Sequence, residues 1–391
     1  MTTRADRSDP AGARASDGGP PDAPGRSARP IGPPVWTIGV AAFLLVGALT
    51  MRVLIGNDLD PSAFVAFGED SPVQTPYGRR LLGDVVTRPG GGHDGQAFFI
   101  QANDPWYLHP EENAALLDRP VYRAQRMLFP TLAGGFGLFA PTTIVWAMLV
   151  INVLALVVGA IVAAELAAGW GLPTWLGLWV PLNVGLLFEL DIGGSGILAY
   201  ACCLAGLLAL VRRRLWMAAG LFAAASLSRE VMLAFAVGVM VWWWLQHREI
   251  LWRLVAVPLG AMALWGVYVL VRLAGIEGVG RTAQNFELPF VGLLRALSGW
   301  VDEPIDLIVN VVLVVVVVSF VPLALRSGNA IASGALPFVA IAVVLSAEVW
   351  AEPFNWSRAV APIWTALPFA IMARAPRDSA VVDAKPIPVE R

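Results

Sequence analysis

Charge is scarce in this chain. Asp, Glu, Lys and Arg make up 14% of the 391 residues, where an ordinary soluble domain carries about 25%. Hydrophobic residues reach 57%, and mean hydropathy is +0.66. So little charge beside so much apolar surface excludes a single soluble domain and a disordered chain. It implies a polytopic membrane protein. Lysine is nearly missing: Lys385 is the only one among 27 basic residues, a mark of a high-GC genome more than of a function. The net charge of −2 gives no reason to expect a nucleic-acid partner. Cysteine is limited to Cys202 and Cys203, side by side in an apolar run. Adjacent cysteines rarely pair and lack metal-ligand spacing, so both read as small packing residues. Three histidines without an HExxH pattern disfavour a zinc hydrolase.

What the chain does contain is long apolar segments. Residues 1–34, rich in Pro, Gly, Ala, Asp and Arg, precede them. Such a stretch cannot bury enough surface to offset its chain entropy and is expected to be a disordered tail. The first apolar run comes too late for a cleavable signal peptide and has no A-x-A site after it. The apolar segments are Val35–Gly56, Thr142–Leu166, Trp175–Leu190, Gly193–Val211, Leu215–Leu227, Val231–Leu245, Leu254–Leu273, Ile305–Leu325, Ile331–Val349 and Ala359–Ala373. They predict an all-α bundle of about ten membrane spans, several of them short. Met127–Phe139, interrupted by Pro130, is expected at the membrane surface or as a half-helix.

Arginine sets the expected orientation. Arg4, Arg7, Arg14, Arg26 and Arg29 lie in the N-terminal tail, and Arg212, Arg213 and Arg214 form the sharpest cluster. Arg248, Arg253, Arg326, Arg374, Arg377 and Lys385 complete the set. With ten spans all fall on the cytoplasmic side of a cell membrane, both termini included. The opposite face then receives the long loop 57–141, Asp191, the turn Ser228-Arg229-Glu230, the loop 274–304 and the turn 351–358.

The residues suited to chemistry gather on that outer face. Gly92-His93-Asp94-Gly95-Gln96 runs into Ala97-Phe98-Phe99, then Asp104-Pro105. Asp118-Arg119-Pro120-Val121-Tyr122-Arg123-Ala124-Gln125-Arg126 follows, closing on Met127-Leu128-Phe129-Pro130. Asp94, between glycines before an aromatic run, is expected to cap a short helix. In a helix Arg119, Arg123 and Arg126 stand four and three residues apart, near one face, and aim at a common anion. Their planar forks suit phosphate. A basic face over anionic lipid headgroups is the plainer alternative.

Together these segments resemble polytopic bacterial proteins of the GT-C glycosyltransferase superfamily. The likeness lies in the G-H-D-G-Q-aromatic loop, the D-P pair, the Asp-x-Pro-x-Tyr-Arg-x-x-Arg run and the Leu227-Ser228-Arg229-Glu230 turn, with a weaker echo over Trp350–Arg358. It implies a long first extracytoplasmic loop carrying short surface helices. It also implies sugar transfer, hexosyl or pentosyl, from a polyprenyl-phosphate donor to an extracytoplasmic acceptor. Asp94 would be the base; Arg119, Arg123, Arg126, Arg229, Glu230, Asp191, His93 and Gln96 would contact substrate. Two features depart from the pattern. Gly95 stands where many such transferases carry a second acidic residue, and only a short inner tail, with no large C-terminal extracytoplasmic domain, is expected after the last span.

The chemistry is consistent with that resemblance. Sugar transfer needs a base for the acceptor hydroxyl and cations for the departing phosphate. Arg229-Glu230 joins two short segments, so the turn is drawn below the membrane surface, where charges are costly and tend to be functional. Among Glu189, Asp191, Glu348 and Glu352, Asp191 ranks first because glycines follow it. Asp58-Leu59-Asp60 is formally a D-x-D, the place a divalent metal would sit if one is used; Pro61 suggests a plain turn. No cofactor is assigned. Glu165 is expected to reach the inner interface, and Asn152, Asn183 and Asn310 to bond between helices. Trp242-Trp243-Trp244 reads as an interfacial anchor. A transporter or flippase of a lipid-linked or small anionic compound is the alternative, but the chain shows neither internal repeats nor midplane charges. A non-catalytic scaffold would not need the convergent charges of the long loop.

Overall fold

Prolines and glycines set the helix limits in the computed structural model, which describes residues 31–276 and 285–373. The tails read over residues 1–34 and 374–391 fall outside it, apart from residues 31–34, as do residues 277–284 of the loop 274–304. Helix α1, Val35–Gly56, starts after Pro33-Pro34. The segment that follows, up to Ala140, folds into a cap. It contains α2 (Gln74–Leu82), α3 (Asp94–Asn103), α4 (Pro110–Leu116), α5 (Pro120–Ala124) and α6 (Leu128–Phe136). Two short strands, β1 (Phe67–Gly68) and β2 (Thr87–Arg88), pair in parallel, Phe67 opposite Thr87. Proline opens α4, α5 and the long α7 (Pro141–Gly169), a first-turn position where its missing N–H costs nothing.

The rest of the bundle follows as α8 (Val184–Asp191), α9 (Gly196–Val211), α10 (Leu215–Ser228), α11 (Leu233–His247) and α12 (Arg253–Arg272). Then come α13 (Val291–Asp302), α14 (Pro304–Ser327), α15 (Ala330–Ala335), α16 (Pro337–Val344), α17 (Ala347–Trp350), α18 (Pro353–Ala359) and α19 (Ala361–Met372). Among the described residues the fold is all-α apart from the β1–β2 pair. Four helices, α1, α7, α12 and α14, are long and apolar enough to cross a membrane. Several apolar segments are interrupted instead. Trp175–Leu190 begins as a 3-10 turn over Thr174–Trp179, halts at Pro181 and resumes at α8, whose first amides Gly185 and Leu186 donate to the Asn183 side chain at 3.0 and 3.2 Å. Pro337 likewise divides α15 from α16.

Helix length decides where the polar turns sit. At 1.5 Å per residue α7 is about 44 Å long, while α9, α10 and α11 reach only about 21–24 Å, short of the ~30 Å apolar thickness of a bilayer. The tight turn Arg212–Arg214 makes α9 and α10 an antiparallel hairpin. Arg229-Glu230 therefore lies at the far end of the hairpin from Arg212. Asn152, Asn183 and Asn310 bond between elements as expected, to Gly194, to Ala361 and Thr365, and to Trp356.

The cap has its own apolar interior. Val65, Phe67, Phe98, Phe99 and Phe129 close over Ile144, Val145 and Met148 of α7. On its other side Ala97, Ile100, Tyr107 and Leu117 meet Trp265 and Val269 of α12 and Leu273 just after it. Hydrogen bonds fix the second contact: Trp265 Nε1 donates to the Ala124 carbonyl at 2.6 Å, and Arg272 to that of Tyr107 at 2.6 and 2.9 Å. Met127–Phe139 supplies α6, a short helix packed on α3 and α7.

Candidate functional site

The turn before α3 aims Asp94 at the interior. Gly92 adopts φ +78°, a conformation side chains disfavour. His93 N–H donates to the Ala66 carbonyl at 3.1 Å. Gln96 holds the turn from inside: its Nε2 donates to the Gly91 carbonyl at 2.8 Å, and its Oε1 accepts from Gly68 N–H at 3.4 Å. Gly95 has no room for a side chain, since a Cβ there would meet the Ile192 and Val65 carbonyl oxygens at 2.4 and 2.5 Å. The lack of a second carboxylate beside Asp94 thus has a steric cause.

Three arginines converge on Asp94. Arg123 Nη1 lies 2.5 Å from Oδ1, while Arg358 Nη1 and Arg126 Nη1 lie 2.8 and 3.4 Å from Oδ2. The expected helix cap is not formed. Asp94 is the first residue of α3, which has no side-chain cap, because its carboxylate is drawn to these guanidinium groups. Burial pushes the Asp94 carboxyl up, but Arg358, Arg123 and Arg126 together hold it well below the usual carboxylate range.

Each arginine is itself tied down. Arg123 forks onto Asp118 at 2.9 and 3.2 Å. Arg126 forks onto Glu230, both bonds 2.9 Å, and lies over the Tyr122 ring with its carbon 4.8 Å from the centroid. The Tyr122 hydroxyl also accepts from Asn285 at 2.9 Å. Arg126 is 6% exposed, so its pairing with Glu230 is a buried one. Burial raises and Arg126 lowers the Glu230 carboxyl, which ends below its ordinary value. Asp118 is lowered too, its burial outweighed by the bond from Arg123. His93 is lowered by burial and by Arg358, so its imidazole is held neutral.

Behind this layer Glu189, 1% exposed, accepts from the Gly196 N–H at 2.9 Å through one oxygen and pairs through the other with Arg229. Arg358 Nη1 stands 3.8 Å from that same oxygen. Arg229 is 7% exposed, and its Nε has no partner among the described residues. A Cβ at Gly194 would fall 1.9 Å from the Glu189 carboxylate, so only glycine lets the α8–α9 turn wrap it.

These groups border one cavity of about 440 Å³, where His93, Asp94, Arg119, Arg123, Arg126, Arg229, Glu230 and Arg358 meet an apolar wall of Val231, Phe286, Ile341, Leu345, Val349 and Ala359. Five arginines and five carboxylates (Asp94, Asp118, Glu230, Glu348, Glu352) line it. Arg119 is the lining arginine with no bonded partner among the described residues, because α5 begins after it and ends at Ala124. Hence the three loop arginines do not share one helical face: Arg123 and Arg126 meet at Asp94, and Arg119 stands apart.

Two of the expected substrate contacts lie off the cavity. Asp191 is occupied by Arg88, at 2.5 and 3.0 Å, in a clasp that ties β2 to α8; the glycines after it serve Glu189 instead. Gln96 is spent on the Gly91 turn. In the D-x-D, Asp60 caps the turn Pro61–Phe64 by accepting from Ser62 N–H at 2.8 Å. Among the described residues no three His, Cys, Asp or Glu side chains are gathered to hold a metal. The sequence ranks Glu189 below Asp191 and gives Arg358 no role; the signals for them are the glycines around Glu189 and the arginine ending the Trp350–Arg358 stretch. Compared with known proteins, the chain matches no family model, no curated protein and no solved structure.

Proposed function

We propose that the chain is a multi-pass plasma-membrane glycosyltransferase, a GT-C-like bundle of about ten spans with both termini cytoplasmic. In this reading it moves a sugar from a polyprenyl-phosphate donor to an extracytoplasmic acceptor. One observation carries the reading: a buried carboxylate and five arginines, drawn from four separate stretches of chain, border a single cavity whose other wall is apolar. Phosphate and polyprenyl chain are the two halves of a ligand that such a lining suits. The bond between the anomeric carbon and the phosphate oxygen breaks, and its electron pair leaves with the phosphate. Arg119, with Arg123, Arg126, Arg229 and Arg358 beside it, stabilises that charge. The acceptor oxygen bonds the anomeric carbon, and its proton passes to Asp94. His93, held neutral, and Glu230, which orients Arg126, complete the set.

The test is direct. Purified full chain is given a panel of polyprenyl-phosphate-linked hexoses and pentoses, and free polyprenyl phosphate and new glycoside are measured. Formation of both, abolished by Asp94→Asn, is expected. Passage of intact donor across a vesicle membrane, without bond cleavage, would sink the transferase and favour a flippase. Orientation is read separately. In a background with Cys202 and Cys203 replaced, an impermeant thiol reagent added to intact cells should label Glu352→Cys and spare Arg213→Cys.

A further inference from the structure

Four of the five lining arginines are already engaged by carboxylates, and only Arg119 has no bonded partner among the described residues. Arg123 and Arg126 each serve two carboxylates, and Arg358 stands between Asp94 at 2.8 Å and Glu189 at 3.8 Å. Asp94 for its part is oversubscribed. Its two oxygens face three guanidinium groups, and Glu189, Asp118 and Glu230 stand one arginine away from it. A carboxylate so occupied is a poor proton acceptor, because its lone pairs are committed to N–H donors. A phosphate monoester, with three unesterified oxygens, or a diester, with two, offers the same donors anionic acceptors.

We propose that Asp94 holds the place of a phosphate group: an incoming phosphate monoester or diester takes Arg358 and Arg123 from the carboxylate, and Asp94 is thereby freed. Arg358, on α18, becomes an anion-binding residue of the site. It is the arginine best placed for the exchange. Among the described residues Asp94 is its one close carboxylate partner, and Glu189 stands 3.8 Å from the same Nη1, near enough to hold it as the carboxylate is displaced. The inference rests on the transferase reading for its biological donor, yet its content is a competition between two anions. It links donor arrival to the appearance of the base, so that a proton acceptor is exposed only when there is a bond to break.

Binding of farnesyl phosphate to the purified full chain tests this without any transfer reaction, with farnesol and inorganic phosphate as the other arms. A group that competes with the ligand reduces apparent affinity by the fraction of time it occupies the site. Asp94→Asn should therefore bind farnesyl phosphate more tightly, by roughly tenfold. Glu352→Gln removes the same charge from the cavity mouth without touching these arginines, and should change binding less than about twofold on that account. Arg358→Gln should weaken binding at least tenfold or so, the value of a lost charged hydrogen bond, and it serves alone if the Asp94 variant does not fold. Tightening by inorganic phosphate as well as farnesyl phosphate marks a free-anion site; tightening by farnesyl phosphate alone marks a lipid phosphate, and either supports the exchange. Weaker or unchanged binding in Asp94→Asn overturns it, as does equal tightening in Glu352→Gln or unchanged binding in Arg358→Gln. Exchange without any sugar transfer would leave this inference standing and remove the transferase.

Discussion

The same residue, arginine, marks both ends of the α9–α10 hairpin, and it behaves differently at each. Around Asp94 the arginines are buried against carboxylates: Arg126 and Arg229 have side chains 7% and 8% exposed, and Glu189 2%. At the other end Arg212 is 53% exposed and pairs with Glu165, itself 33% exposed. Arg213, Arg248 and Arg253 rest on the rings of Trp243, Trp244 and Trp216, with their guanidinium carbons 4.8, 5.9 and 5.0 Å from the centroids. Exposed arginine on an indole is a surface anchor. Buried arginine on a carboxylate is expensive to assemble and costly to break, because the partner left behind is an uncompensated charge. Count and sign alone would rate the two ends alike; burial and partners separate them.

The sharpest way to break the contrast is at Asp94. Asp94→Asn should lower sugar transfer per folded molecule by about 10²–10⁴, the contribution of a general base, while Arg212→Gln leaves the rate unchanged. Equal effects would mean that the two ends are functionally alike. Next is stability. Glu189→Gln strands Arg229 and should cost about 3–5 kcal/mol, as breaking a buried pair does. Arg212→Gln should cost less than about 1 kcal/mol. Thermal unfolding in one detergent compares them, and equal losses would deny any difference in burial.

A smaller effect sharpens the division of labour within the cavity. Arg119→Lys keeps the charge, loses the fork and has no bonded carboxylate to abandon among the described residues. Transfer should fall roughly tenfold, from loss of about 1.5 kcal/mol of charged hydrogen bonding, with no change in melting temperature. Arg126→Lys should lower both, since Glu230 loses its forked partner. The mildest probe is acid. Asp94, Asp118 and Glu230 are held below their ordinary range, so their stabilising contribution is complete above about pH 4 and fades as pH falls through the lower folded values. His93, also lowered, contributes above about pH 6.5 and declines below it. Melting temperature should slip slightly between pH 7 and 5 and drop steeply only below about 4. A steep drop near pH 5 would mean that the arginines do not hold these carboxylates.

Asp94, Arg123, Arg126 and Arg229-Glu230 were legible because local pattern marks them: flanking glycines, spaced arginines, a charged turn between short apolar runs. Arg358 and Glu189 were not, because Arg358 meets Asp94 across 264 positions and no spacing rule reaches that far. Asp191, ranked above Glu189, lies off the cavity for a related reason. The glycines do mark a close approach, but which of two carboxylates on a short helix turns inward depends on Arg88 and Arg229, both remote in sequence. The apolar segments were legible as segments. Where Pro181 and Pro337 divide them follows from backbone chemistry that hydropathy does not register.

The Asp94–Arg358 bond also sets a schedule. Synthesis at about 5–20 residues per second places Arg358 in the chain roughly 13–53 s after Asp94. For that interval the Asp94 carboxylate stands without its third guanidinium group, while the helices between the two residues are being made. The centre of the cavity is thus completed only after 264 further residues have been made. Mutations near residue 358 should accordingly be felt first as a failure of maturation in the cap, hundreds of residues upstream of the change.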